Sequence, residues 1–348
     1  MTQPHVALVT SGLGNALGGI GVVAESMHAA LGRFADVELW RHDLTRERRV
    51  RLLNLTLRSL PRRRRRPDLL LYDHVGLSAL SVLLPWLWGI PYGVFVHGTE
   101  VWRPLPSLAR RALQNASGVF ANSSFSVRQA RQHNPWFPAA EVTWLGVSKP
   151  TLPLVAPRKR RALLVGRMDA GERQKGHDVV LDAWEAISLA VPTAELDVIG
   201  DGSDFERLRR RATALAGVNF LGRIPDAERN AAYAASSLFL FPSVQEGFGL
   251  AAVEAAAHGC PLLVVRGTVY DELFPEGSGA TFVDAARPDD VAVAASRLLA
   301  DASLIEDQSK RAQARVATAF LASHFQDRFC EAVERVLMAR TRGPSRSS

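Results

Sequence analysis

The chain has 348 residues, 47% of them hydrophobic, and a formal net charge of +7. That length exceeds one ordinary core and suits two domains, and the composition excludes disordered and fibrous classes. The two cysteines, Cys260 and Cys330, stand far apart, which argues against a disulfide framework or a cysteine-based zinc site. With no basic-then-apolar leader pattern at the N-terminus, the expected setting is cytoplasmic.

The first half alternates apolar runs with segments of helical spacing. HVALVTS, VELWRHD, DLLLYDH, YGVFVHG, GVFANSS and VTWLGV read as strands, while GVVAESMHAALGRF and SLARRALQNA place apolar residues on one helix face. Alternation at this interval predicts a parallel sheet covered on both faces. After the first strand, Gly12, Gly14 and Gly18 approximate a dinucleotide fingerprint, with one residue too many before the third glycine. Asp43, at the end of the second strand, would then meet a ribose, so a nicotinamide-dependent oxidoreductase is the rival reading.

Residues 62–66 are five consecutive arginines, and residues 1–157 carry 18 Lys or Arg against 9 Asp or Glu. The run reads either as a solvated loop or as a patch for anionic lipid headgroups. Nucleic acid is not expected, because no helix-turn-helix, zinc-finger or aromatic RNP pattern accompanies it. From Gly76 to Val96 no residue is charged, a length that would suffice for a membrane span. Pro85, Gly89, Pro91 and Gly93 interrupt it, and the expectation is a buried helix, LSALSVLLPWLW, followed by a buried strand.

SKPTLPLVAPRKRR, with Pro150, Pro153 and Pro157, reads as a linker. Beyond it ALLVGR, ELDVIGDG, VNFLGR, LFLFPS, PLLVV and ATFVD are strands, and Val179, Val180, Ala183, Trp184 and Ile187 stripe one helix face. The expected division is one Rossmann-like domain over 1–150 and a second over 151–323. An amphipathic helix over 324–340 is expected to pack back on the first domain, with a disordered tail over 341–348.

Residues 242–261, PSVQEGFGLAAVEAAAHGCP, hold Glu246 and Glu254 with seven residues between them. LFLFPS is a strand, so Glu246 falls just past its carboxyl end. Gly247 and Gly249 allow a sharp turn and a close approach to a ligand. Leu250 opens a helix ending near His258, with Gly259 as its cap and Pro261 beyond. The helix start offers free N–H groups and a positive dipole end, which suits an anion. Glu254, one turn in, shares the face of Leu250. A nucleotide sugar matches this shape, with its diphosphate at the helix start, ribose hydroxyls on Glu254 and the sugar beyond at Glu246.

This stretch resembles the E-x7-E signature of retaining GT-B glycosyltransferases of glycosyltransferase family four. VGRMDAGERQKGHDVVLDAW resembles the family's G-R…K-G element, VIGDGSDFERLRRRA its I-G-x-G strand end, and VNFLGRIP its F-x-G segment. The likeness is strong over the second half and loose over the first. It implies an α/β fold of GT-B type, two Rossmann-like doubly wound domains facing across a cleft, with the acceptor on the first and the nucleotide sugar on the second. It implies a retaining transfer of a sugar from a nucleoside diphosphate to an acceptor hydroxyl, in cell-surface glycan or glycolipid synthesis. A non-catalytic sugar-nucleotide binder is the third reading.

The resemblance also assigns residues. Glu246, His97, Arg167 and Lys175 take catalytic positions, the two cations clamping the diphosphate. Gly18, Gly19, Gly222, Arg223, Gly247, Phe248, Gly249, Leu250 and Glu254 fall on the donor, while Asp73, His74 and Asn122 border the acceptor. No D-x-D metal motif precedes the sugar site, and no metal or other cofactor is expected. The partners implied are a nucleotide-sugar donor, a lipid-linked or glycan acceptor and, through the arginine run, an anionic membrane surface on the inner face of the plasma membrane. Two departures stand out. Arg167 and Lys175 are farther apart than the family's spacing, with Arg173 as a decoy between them. After CPLLVV the family's Gly-Gly pair is replaced by RGTVYDEL, which brings in Arg266 and Thr268.

Overall fold

The computed structural model describes residues 3–14, 18–41, 66–150 and 160–341. Asp43, Arg62–Arg65, the linker's central residues 151–159 and the tail residues 342–348 lie outside the described residues. The chain divides into two compact units, Met1–Gly146 with Ala322–Ser348, and Val147–Leu321.

Unit 1 is a six-stranded, wholly parallel sheet with strands β1 (His5–Thr10), β2 (Asp36–Arg41), β3 (Leu69–Tyr72), β4 (Tyr92–Val96), β5 (Gly118–Ala121) and β6 (Glu141–Val142) in the order β2-β1-β3-β4-β5-β6. β1, β3 and β4 are buried along their whole length, as expected of strands covered on both faces. The closing helix, Ala322–Thr341, belongs to this unit. Its Phe329 meets Phe95 of β4 and Phe120 of β5 edge-on, at 6.2 and 5.5 Å.

Unit 2 repeats the plan. β7 (Arg161–Val165), β8 (Glu195–Ile199), β9 (Val218–Gly222), β10 (Leu238–Phe241), β11 (Leu262–Val265) and β12 (Ala280–Val283) form a parallel sheet in the order β12-β11-β10-β7-β8-β9. Trp184 of the His177–Ala190 helix is fully buried, its indole N–H donating to Ala216 O at 2.9 Å.

In each sheet the strand order reverses once, between β1 and β3 in unit 1 and between β7 and β10 in unit 2. Such a reversal parts the loops at the strands' carboxyl ends and leaves a crevice there.

Two expectations from the sequence are corrected. LSALSVLLPWLW is two short helices, Val75–Ser78 and Leu80–Leu83, and a 3-10 turn, Pro85–Leu87. Leu84 adopts the extended conformation, φ −104°, ψ 107°, because the proline after it disfavours the helical one. VTWLGV contributes only its first valine to a strand, β6, which begins at Glu141. Among the described residues no helix is long and apolar enough to cross a membrane.

Candidate functional site

Unit 2 gathers its charges at the reversal point. β7 leads through Gly166 and Arg167 into a 3-10 segment, Ala170–Lys175, and β10 leads through a loop into the helix Leu250–Ala257. Val244 N–H donates to Gln174 O at 3.1 Å and ties the two loops together. Lys175 Nζ donates to Glu246 Oε1 at 2.9 Å and lies 3.7 Å from Glu172 Oε2. Ser243 Oγ donates to the same Glu246 oxygen at 3.2 Å. The Lys175 and Glu246 side chains are only 17% and 13% exposed, so this pair is less screened than one on the surface. Arg167 is 63% exposed, with Nη2 donating to Glu172 Oε1 at 2.5 Å. Arg173 turns elsewhere, its Nε 3.3 Å from Asp204 Oδ2, which also accepts from Arg207 Nη2 at 2.6 Å. Packing thus separates Lys175 from the decoy.

The helix start behaves as its glycine suggests. Gly249 has φ +77°, and a Cβ there would stand 2.3 Å from the Tyr270 hydroxyl, so only glycine fits. No side chain caps the helix. The Tyr270 hydroxyl is itself buried without a hydrogen-bond partner, and burial lifts its pKa well above the ordinary phenol value. Phe248 is buried edge-on against Phe320, 5.8 Å between centroids, which leaves its backbone as the part a ligand could meet. Glu254 faces other partners. Its Oε2 accepts from Tyr233 OH at 3.1 Å and lies 3.7 Å from Arg229 Nε. Burial raises its pKa, with the Arg229 charge opposing. Gly222 ends β9 with φ +66°, followed by exposed Arg223. Behind Lys175, His177 is buried, its Nε2 unpartnered, and burial pulls its pKa down to about 4.

Unit 1 brings Asp73, His74, His97 and Asn122 together at the carboxyl ends of β3, β4 and β5. Asp73 is fully buried. The Thr10 hydroxyl, at the end of β1, donates to Asp73 Oδ2 at 2.6 Å, while Asp73 Oδ1 has no partner. Burial pushes the Asp73 pKa up to about 6, against the Thr10 hydrogen bond and the neighbouring His97. His97 Nε2 lies 2.6 Å from Asp73 O. A carbonyl only accepts, so Nε2 carries the hydrogen and a neutral ring presents its lone pair at Nδ1. Asn122 Nδ2 donates to His97 O at 2.6 Å, and Glu100 Oε1 accepts from His97 N–H at 2.5 Å. His74 stacks on His97 at 6.4 Å, its Nδ1 accepting from Gly76 N–H at 2.9 Å, and burial lowers its pKa. Gly18, at φ +66°, precedes the helix Gly19–Leu31, and a Cβ on Gly18 or Gly19 would meet nothing within 4 Å.

Thr10, Glu100, Glu172, Ser243 and Tyr270 were not singled out from the sequence. Thr10 and Ser243 carried the one visible signal, a small polar residue closing an apolar strand.

Residues 159–301 match the family described as Glycosyl transferases group 1. Over 229 residues the chain is 29% identical to the GDP-mannose-dependent alpha-(1-6)-phosphatidylinositol monomannoside mannosyltransferase of Mycolicibacterium smegmatis, covering 59% of this chain and 60% of that protein. Over 137 residues it is 33% identical to the phosphatidyl-myo-inositol mannosyltransferase of Mycobacterium leprae, covering 36% of each. The chain thus matches between about a third and three fifths of these relatives' length. Sucrose-phosphate synthase from Thermosynechococcus elongatus superposes with a TM-score of 0.77 at 17% identity, over 97% of this chain and 100% of that one. Anabaena HepE in complex with UDP-glucose does so with a TM-score of 0.75 at 16% identity, over 95% and 99%. This chain has a GT-B fold, and its residues 159–301 match the group 1 glycosyl transferases. In that fold unit 2 is the part matched by the family, and the Lys175–Glu246 pair and the uncapped helix lie within the matched residues. These matches give no support to the nicotinamide reading.

Proposed function

We propose that the protein is a retaining glycosyltransferase that moves a sugar from a nucleoside diphosphate to a hydroxyl of a glycolipid acceptor. The observation that carries this reading is Lys175, half-buried and paired with Glu246, which lies just before the Leu250–Ala257 helix with its uncapped start. A cation and free N–H groups facing one spot suit a diphosphate. The acceptor class follows the relatives, whose names specify phosphatidylinositol-based acceptors.

In the reaction the bond between the anomeric carbon and the phosphate oxygen breaks, and negative charge grows on the departing diphosphate. Lys175, Arg167 and the helix N–H groups take up that charge. No metal is needed for this step in the proposed scheme. Glu246 is held by Lys175 and Ser243, and a carboxylate so neutralised is a better acceptor for sugar hydroxyls than a nucleophile. The acceptor oxygen therefore bonds to the face the diphosphate leaves, and its proton passes to the leaving phosphate oxygen. Glu254 takes the ribose hydroxyls. In unit 1, His97 Nδ1 receives a substrate hydroxyl, with Asp73, His74 and Asn122 fixing the imidazole.

The test is a panel of nucleoside-diphosphate sugars scored by thermal stabilisation and by release of the free nucleoside diphosphate. One donor should raise the melting temperature, since binding to the folded state stabilises by mass action. Release should depend on a lipid-linked acceptor, and the product should keep the donor's anomeric configuration. Stabilisation without release under any acceptor would make the protein a binder. An inverted product would remove the same-face route.

A further inference from the structure

We propose that the Tyr270 hydroxyl is the reserve partner of Glu246, engaged when Lys175 leaves that carboxylate for the donor's diphosphate. Tyr270 is then a positioning residue for the donor sugar, and the inference rests on the donor site proposed above. Tyr270 is fully buried, and its hydroxyl has no hydrogen-bond partner among the described residues. A buried polar group left unmatched is costly and calls for a reason. Its place supplies one. Tyr270 opens the short helix Tyr270–Leu273 after β11, within the RGTVYDEL stretch, and Phe241 at the end of β10 meets its ring edge-on at 6.3 Å. The hydroxyl lies against the Gly249 backbone, where a Cβ would stand 2.3 Å from it. Gly249 closes the turn between Glu246 and the uncapped helix start. Burial raises the pKa of the phenol, and the Glu246 charge adds to the rise, so the O–H keeps its proton and can donate to a carboxylate.

The proposed reaction asks two things of Lys175. In the free protein its Nζ donates to Glu246 Oε1 at 2.9 Å, and Ser243 Oγ shares that oxygen at 3.2 Å. In the clamp it must face the phosphates, whose charge exceeds that of one carboxylate. A lysine ammonium is a compact point charge on a flexible stem, and it follows the larger charge. Glu246, largely buried, is then left short of a donor, and a buried carboxylate without partners is strongly disfavoured. The Tyr270 O–H meets that need by donating a hydrogen bond, with no proton transferred. Being neutral, it holds Glu246 toward the sugar and leaves the whole Lys175 charge to the leaving group.

The experiment is a double-mutant cycle in thermal unfolding of the free protein, with wild type, Tyr270→Phe, Lys175→Ala and the two together. Lys175→Met, which keeps the apolar stem, replaces Lys175→Ala if that variant does not fold. With Lys175 present, Tyr270→Phe should raise the unfolding temperature, because it deletes an unmatched hydroxyl. With Lys175 gone, Glu246 takes the hydroxyl already in the free protein, so the same change should lower it. A merely structural tyrosine would shift both backgrounds the same way. The second arm titrates UDP and GDP. Tyr270→Phe should weaken whichever of them wild type binds by at least about tenfold, the worth of a hydrogen bond to a charged group, despite its higher unfolding temperature. A shift of the same sign in both backgrounds would overturn the proposal. Equal affinity of wild type and Tyr270→Phe for the nucleoside diphosphate would overturn it too. Weakened binding without the change of sign would give the hydroxyl to the ligand rather than to Glu246. Binding of neither UDP nor GDP by wild type would count against the donor site itself, while the change of sign in the free protein would still decide the reserve contact.

Discussion

The two units set their polar groups at the same place, the strand reversal, and treat charge in opposite ways. Unit 1 buries one carboxyl, Asp73, completely, gives it a single hydroxyl partner and holds its histidine by backbone carbonyl contact. Unit 2 strings Arg167, Glu172, Lys175 and Glu246 into a chain of ion pairs that reaches solvent at Arg167. A low-dielectric pocket with fixed donors and acceptors suits uncharged hydroxyls. A row of cations already matched by acids suits an anion that can take the acids' place without exposing a bare buried charge. One scaffold therefore supports two kinds of recognition, decided by which side chains end the strands.

The largest effect should come from breaking the unit 2 chain at Lys175, the less exposed of its two cations. Lys175→Ala should lower the turnover of the nucleotide sugar by about 10² to 10³, the range seen when one preorganised stabilising donor is removed. Arg167→Ala should cost less, about tenfold, because its exposed guanidinium is screened by water. Release of nucleoside diphosphate at saturating donor measures both. Equal losses would mean that burial does not rank the two cations. Turnover within about threefold of wild type in Lys175→Ala would take the residue out of the clamp.

Acid should next drive the units apart. His177 in unit 2 has a folded pKa of about 4 against an ordinary 6.5. Its neutral form stabilises the fold above 6.5, and that stability, up to about 3 kcal/mol, drains away as pH falls toward 4. Asp73 in unit 1 has the opposite sign, with a folded pKa of about 6 against 3.8. It keeps its proton in the fold, so its contribution is present in full below 3.8 and is lost as pH rises toward 6, again by about 3 kcal/mol. Between pH 4 and 6 unit 1 should therefore gain firmness on acidification while unit 2 weakens. Hydrogen exchange followed by fragment would show this directly. His177→Leu should flatten the acid slope of unit 2, and Asp73→Asn should flatten that of unit 1. Wild-type slopes in both variants would mean that other groups set the pH response.

Much of this was visible before any coordinates. The strands were, because parallel strands buried on both faces leave unbroken apolar runs such as LLLY and LFLF. The helix start at Leu250 was, because Gly249 and the glutamates are local features. The choice of Lys175 over Arg173 came from the family resemblance and not from the spacing, since both follow β7 closely; in the structure Arg173 turns to Asp204, which Arg207 also holds, while Lys175 pairs with Glu246. The Thr10–Asp73 contact joins residues 63 positions apart, and nothing in either local pattern encodes it. The broken helix before Trp88 was misread because its apolar content outweighed one proline whose effect falls on the residue before it.

The smallest effect should be the cleanest, because the fully buried tyrosines Tyr72 of unit 1 and Tyr270 of unit 2 differ in whether the hydroxyl has a partner. Tyr72 in unit 1 shares a hydrogen bond of 2.6 Å with Ser81 Oγ, whereas the Tyr270 hydroxyl in unit 2 has none. A typical internal hydrogen bond contributes about 1 kcal/mol net, while a buried polar group left unmatched costs about 1–3 kcal/mol. Tyr72→Phe should therefore destabilise, by about 1 kcal/mol plus the cost of leaving Ser81 unmatched. Tyr270→Phe should stabilise the free protein by about 1 kcal/mol, since it deletes an orphaned hydroxyl and nothing else. Paired denaturant titrations of the two variants read both signs in one experiment. Destabilisation by Tyr270→Phe equal to that of Tyr72→Phe would mean that its hydroxyl has a partner after all. A gain in the free protein that disappears once nucleoside diphosphate is bound would mean that the partner arrives with the ligand, at the glycine that opens the helix.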